Sequence, residues 1–115
     1  MLRDPDSAPP WVPRADVFMT TDGEFTIKVE LAALRREDVE LCIEGQGIRI
    51  TGHRPDADRA ANGSRYVVTG INWGWFDMVV DVPEGFDLSK ARAQYQNGLL
   101  RVLVPKRERP VHKIR

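Results

Sequence analysis

Alternation of apolar and polar positions is the dominant signal along this chain. Phe25, Ile27, Val29 and Leu31 alternate with Thr26, Lys28 and Glu30, the period of a strand with one buried face. Ahead of it, Asp22-Gly23 suits a turn and Ala15-Asp16-Val17-Phe18 a short edge strand. Residues 32–38 read as a short helical turn. Val39, Leu41 and Ile43 then face inward from a strand whose other side carries Glu40, Cys42 and Glu44. Gly45-Gln46-Gly47 reverses the chain into Ile48 and Ile50, with Arg49, Thr51 and His53 on the opposite face. A further run sets Phe76, Met78, Val80 and Val82 against Trp75, Asp77, Val79 and Asp81, closed by Pro83.

The clearest local unit covers residues 91–106. Ala91, Ala93 and Tyr95 share one parity, with Arg92, Gln94 and Gln96 on the other. Asn97-Gly98 follows, and both residue types tolerate positive φ, as a two-residue type I′ hairpin turn demands. Leu100, Val102 and Val104 then alternate with Leu99, Arg101 and Leu103, until Pro105 ends the strand for want of an N–H. No stretch makes a long amphipathic helix. Short strands at even spacing, separated by glycine, proline and Asp-Gly or Asn-Gly turns, predict an all-β antiparallel β-sandwich, immunoglobulin-like in build.

Two segments escape the alternation. Residues 1–13 hold prolines at 5, 9, 10 and 13, which predicts a short irregular arm. Trp11 is its one large side chain; it either packs on the domain edge or contacts a partner. Residues 55–64 are polar, with nothing apolar larger than alanine to anchor them, and predict a mobile loop. Residues 65–69, including Tyr66, Val67 and Val68, recover β character, so the loop is expected to carry a strand. The organisation is therefore an arm at 1–13, one folded domain at 14–106 and a tail at 107–115.

Composition narrows the function. At 115 residues there is material for a single core, and 42% apolar with 30% charged residues is ordinary for a soluble domain. Formal net charge is zero, which argues against a nucleic-acid binder. Apolar runs stay far below the roughly 20 residues that span a membrane, and the polar, proline-broken N-terminus is no secretory signal. A lone cysteine, Cys42, fits a reducing compartment, so the expected location is cytoplasmic. His53 and His112 stand far apart and complete no zinc spacing with Cys42, so no metal is expected. No Ser/His/Asp set has neighbouring motif context and no glycine-rich phosphate loop opens a helix, so neither a catalytic residue nor a cofactor is expected. Asp77 and Asp81 lie on the polar face of their strand, and His53 alternates outward. Trp73 suits the end of the sandwich, whereas Trp75, facing outward, suits an interface. The basic tail is expected to be a solvated terminus.

The spelling A-x-x-x-N-G-x-L-x-V-x-x-P-K, which runs from Ala93 to Lys106 within residues 91–106, resembles the end of the α-crystallin domain of small heat-shock proteins. Other stretches agree in order. Pro13-Arg14-Ala15-Asp16-Val17 is similar to the opening P-x-x-D-I/V, and Ile48-x-Ile50-x-Gly52-x-Arg54 to the L-x-I-x-G-x-R of the fifth strand. Trp73-Gly74-x-Phe76 is similar to Y-G-x-F, and Val82-Pro83 to the L-P that closes that strand. The likeness covers nearly the whole chain and is of the bacterial type. Four positions depart from it: Gly70-Ile71 replaces Glu-Arg, Met78 replaces an arginine, Ala32-Ala33 replaces Pro-Gly, and the tail spaces Val111 and Ile114 three apart instead of two.

That resemblance implies an ATP-independent holdase chaperone of the stress response, which binds partly unfolded clients and suppresses their aggregation. It implies a groove for tail or client segments lined by Val39, Leu41, Ile43, Ala91, Ala93 and Tyr95. It also implies a homodimer in which Tyr66, Val67 and Val68 of one copy pair with Ala15, Val17 and Phe18 of another. With the tail residues Val111 and Ile114 out of step and a short arm, dimers or small oligomers are expected rather than a large shell. Two other readings stay open: a CS-like co-chaperone module docking one specific protein, and a sugar-binding or enzymatic sandwich using Trp73, Trp75, Asp77 and Asp81.

Overall fold

The computed structural model describes residues 8–60, 63–109 and 114. Among these run seven strands: β1 (Ala15–Met19), β2 (Phe25–Glu30), β3 (Val39–Glu44), β4 (Gly47–Arg54), β5 (Gly74–Asp81), β6 (Arg92–Gln96) and β7 (Leu99–Val104). All pair antiparallel, in a four-stranded sheet ordered β1-β2-β7-β6 and a three-stranded sheet ordered β3-β4-β5. The expected all-β sandwich is what forms.

The core sits where the alternation put it. Phe25, Ile27 and Val29 of β2 stand in register with Val104, Val102 and Leu100 of β7. Against them pack Ile48 and Ile50 of β4 and Phe76 of β5. Each such side chain removed from water stabilises the fold by about 1.5–3 kcal/mol before chain entropy is counted.

Positive φ values mark several of the turns. Asn97 and Gly98 take φ of 55° and 77°, the left-handed pair that closes the β6–β7 hairpin. Gly52 is required for space: a Cβ there would lie 2.3 Å from the Asp38 carbonyl and 2.4 Å from the Phe76 ring. The motif glycine thus lets Phe76 lie across β4. Ala33, at φ 62°, occupies a conformation that glycine adopts at lower cost, after the ladder of β2 has ended.

Three expectations need correction. The strand placed at 91–95 begins at Arg92, because Ala91 closes a 3₁₀ turn over Leu88–Lys90. Residues 65–69 form no strand within the single chain, because no neighbouring strand offers them a ladder. The preceding loop is pinned by polar contacts instead of apolar ones. It holds one helical turn, Ala57–Ala60, whose Asp58 and Arg59 N–H groups donate to the Asp56 carboxylate at 3.1 and 3.3 Å. Tyr66 Oη donates to the same carboxylate at 3.0 Å, and the Arg59 guanidinium lies 4.3 Å from the Tyr66 ring. Lost hydration and that hydrogen bond to Asp56 push the Tyr66 phenol above its ordinary pKa.

Candidate functional site

The functional candidates are the rims of the sandwich, where backbone edges and core-parity side chains meet solvent. β1 and β6 bound the four-stranded sheet; β3 and β5 bound the three-stranded one. Trp11 joins β5 through a parallel bridge to Phe76, and the chain then runs on into β1. β5 and β1 therefore border one rim, and β3 and β6 the other.

On the second rim, Leu41 and Ile43 of β3 pair with Ile50 and Ile48, so they share the core-facing parity of buried residues. Even so they are 38% and 53% exposed. Across the gap, Ala93 and Tyr95 of β6 pair with Val102 and Leu100 and again share core parity. Ala93 is exposed, Tyr95 is half-buried, and Tyr95 Oη donates to the Leu31 carbonyl. Val39 and Ala91 are half-buried against the core. The six residues expected to line a groove are thus divided between two edge strands and the turn before β6. Among the described residues, neither sheet has a further strand on this side to cover their apolar atoms.

On the first rim, Ala15, Val17 and Met19 of β1 carry core parity, opposite Val29, Ile27 and Phe25, yet all three are exposed. Phe18 points to the other face, partly exposed. Val67 is 96% exposed and Val68 is exposed also, while Tyr66 is half-buried on the loop. Within the chain no ladder joins residues 65–69 to β1, so the two halves of the expected dimer interface stay apart. Of the tail pair, Ile114 is exposed and Val111 lies outside the described residues.

Residues outside the expected sites also converge. Trp11 N–H donates to the Trp75 carbonyl at 3.1 Å, and Asp77 N–H donates to the Trp11 carbonyl at 3.0 Å. The Trp11 ring lies 5.3 Å from Phe76 and its indole N–H donates to the Gly74 carbonyl, so Trp11 packs on the domain edge. Arg54, the last residue of β4, donates through Nε and Nη2 to the Asn72 carbonyl and through Nη1 to the Ala32 carbonyl at 3.2 Å. Its guanidinium also lies 4.4 Å from the Trp11 ring and 5.3 Å from Trp73. Lost hydration holds its pKa below the ordinary arginine value. The sequence signals for this cluster are the arginine of the β4 motif, Trp11 as a side chain suited to the domain edge and Trp73 as one suited to the end of the sandwich.

On the outer face of the three-stranded sheet, Arg49 binds both carboxylate oxygens of Asp77 and reaches Glu44 at 3.3 Å. The hydrogen bond from Arg49 holds the Asp77 carboxyl below its ordinary pKa. Trp75, 52% exposed, sets its ring edge-on to His53 at 4.7 Å, so His53 is half-buried against an indole rather than solvated. Asp77 and Asp81 do not join a common cleft: one is tied to Arg49 and the other is exposed. Among the described residues, no group of three or more His, Cys, Asp or Glu is placed to hold a metal ion. No helix among them is long and apolar enough to cross a membrane.

Comparisons with known proteins agree with this geometry. Small heat shock protein C2 of Rickettsia felis is 25% identical over 97 residues, covering 84% of this chain and 62% of its own length. The chloroplastic 26.7 kDa heat shock protein of Oryza sativa is 35% identical over 98 residues, covering 78% of this chain and 38% of its own. The chain spans less than two thirds of the length of these curated relatives. Among solved structures, a small heat-shock protein from Xylella fastidiosa superposes with a TM-score of 0.79 at 21% identity, covering 92% of this chain and 95% of that one. Heat shock protein 16.0 from Schizosaccharomyces pombe gives 0.73 at 25% identity, covering 90% and 94%. The Hsp20/alpha crystallin family profile matches residues 17–115. With strand order, hairpin and motif glycine all in place beneath that match, the chain belongs to the Hsp20/alpha crystallin family.

Proposed function

We propose that this chain is a small heat-shock chaperone that holds partly unfolded proteins without ATP. The carrying observation is that Leu41 and Ile43 keep core parity on an edge strand and yet are exposed. An extended apolar segment of a client adds there as a further strand, its backbone on the β3 edge and its side chains against Leu41, Ile43, Ala93 and Tyr95. Removing that segment from water removes the surface through which it would aggregate.

The working unit in this reading is a homodimer. Residues 65–69 of one copy lie on the β1 edge of the other, and the exchange is reciprocal about a twofold axis. Two features support it: among the described residues Val67 and Val68 are exposed with no strand pairing to them, and β1 has a free edge beside exposed Val17 and Met19. The exposed thiol of Cys42 fits a reducing compartment, which we infer to be the cytoplasm.

The test is light scattering of a heat- or reductant-denatured client mixed with the purified chain in the absence of nucleotide. Suppression that rises with chain concentration is expected. Complete failure over a wide range of ratios, together with a strictly monomeric mass in solution, would favour a module that docks one defined protein.

A further inference from the structure

The neck of the loop between β4 and β5 and the N-terminal arm are held by the same side chain. Arg54 opens the loop, and its Nε and Nη2 donate to the carbonyl of Asn72, two residues before the loop re-enters β5. The edge of the guanidinium thus closes the loop at its base. The face of the same group is stacked by Trp11, at 4.4 Å, on the arm. Trp11 is itself docked on β5 by two backbone hydrogen bonds and its indole N–H. Arginine suits this double use: its planar fork fixes carbonyl oxygens along its edge while leaving its face free for an aromatic ring.

We propose that Arg54 is a positioning residue that couples the arm to the loop, so that release of Trp11 from β5 loosens the course of residues 63–73, and seating of those residues steadies the arm. The coupling is reciprocal, because any preference of Arg54 for the docked arm in one loop state appears equally as a preference for that loop state when the arm is docked. The consequence for assembly rests on the dimer reading above: the loop leaves its own sandwich in a fixed direction only while Trp11 covers Arg54. An arm drawn away by a client would then weaken pairing between copies. Lysine cannot replace the group, because an ammonium cannot both bridge two carbonyls in a plane and stack on an indole.

The experiment is peptide-resolved hydrogen–deuterium exchange on the full chain, with self-association measured on the same samples by sedimentation. Arg54→Lys and Trp11→Ala are each expected to raise exchange in both 8–14 and 63–73 by about tenfold, the scale of a lost cation–π contact and charge-assisted hydrogen bonds. Exchange in β2, β4 and β7 should stay as in the parent chain. Trp11→Phe, which keeps a ring for the guanidinium, should restore the loop. The inference falls if Trp11→Ala leaves 63–73 at parental exchange, if Arg54→Lys loosens the loop and not the arm, or if Trp11→Phe behaves as Trp11→Ala. A monomeric parent would remove the dimer reading alone, since arm–loop coupling is still read by exchange within one copy. A dimer whose loop ignores Trp11 would do the reverse.

Discussion

β5 and β3 are the two outer strands of one three-stranded sheet, but they are finished in opposite ways. The β5 edge is covered by the chain's own arm: the Trp75 carbonyl and Asp77 N–H bond to the backbone of Trp11, whose ring lies on Phe76. Among the described residues β3 has no such cover, and Leu41 and Ile43 meet solvent although their register partners Ile50 and Ile48 are buried. An exposed edge with apolar neighbours invites another strand. Among the described residues, the chain covers the β5 edge with Trp11 and leaves the β3 and β1 edges bare.

Ile27 is fully buried and Ile43 is 53% exposed, though both sit at core-parity positions of strands. Ile27→Ala should lower the unfolding free energy by about 4 kcal/mol and Ile43→Ala by less than about 1 kcal/mol, measured by urea denaturation. Ile43→Ala should nevertheless reduce suppression of client aggregation. Equal stability losses at the two sites would mean that the β3 rim is already part of the core.

A somewhat smaller effect is expected at Gly52, which lies between the two edges. A Cβ there meets the Asp38 carbonyl ahead of β3 and the Phe76 ring of β5. Gly52→Ala should therefore cost about 3 kcal/mol through overpacking, seen as a lowered denaturation midpoint with a similar slope. A neutral Gly52→Ala would show that Phe76, and with it the arm's docking platform, has room to move.

The smallest effect concerns the outer face of β5. Arg49 depresses the pKa of Asp77, so the native state binds its proton less readily than the unfolded chain. The pair's contribution to stability is present above the ordinary carboxylate pKa near 3.8 and is lost as pH falls through the lower native value. The melting temperatures of the parent and Asp77→Asn should differ modestly near neutral pH and converge in acid below that range. The gap should narrow in high salt, since both side chains are partly exposed.

How far these features were legible depends on the range of the interaction. The strands, the Asn97-Gly98 turn and the core of β2, β4 and β7 follow from parity and turn chemistry, which act between near neighbours. The strand expected at 65–69 could not be judged that way, because β character forms a ladder only where a second edge exists. Arg54 could be quoted from a motif, but its partners Trp11, Ala32 and Asn72 come from three separate parts of the chain. Similarly, the Asp56–Tyr66 pin is a polar anchor between side chains ten residues apart, which no apolar alternation signals.

By itself the sequence determined which face of each strand is apolar, where the chain turns, and hence that two antiparallel layers enclose one core. Tertiary structure alone decided which core-parity side chains become buried. Four strands face three, Trp11 covers the β5 edge, and Leu41 and Ile43 are left outside because burial requires a second surface, which no local pattern encodes.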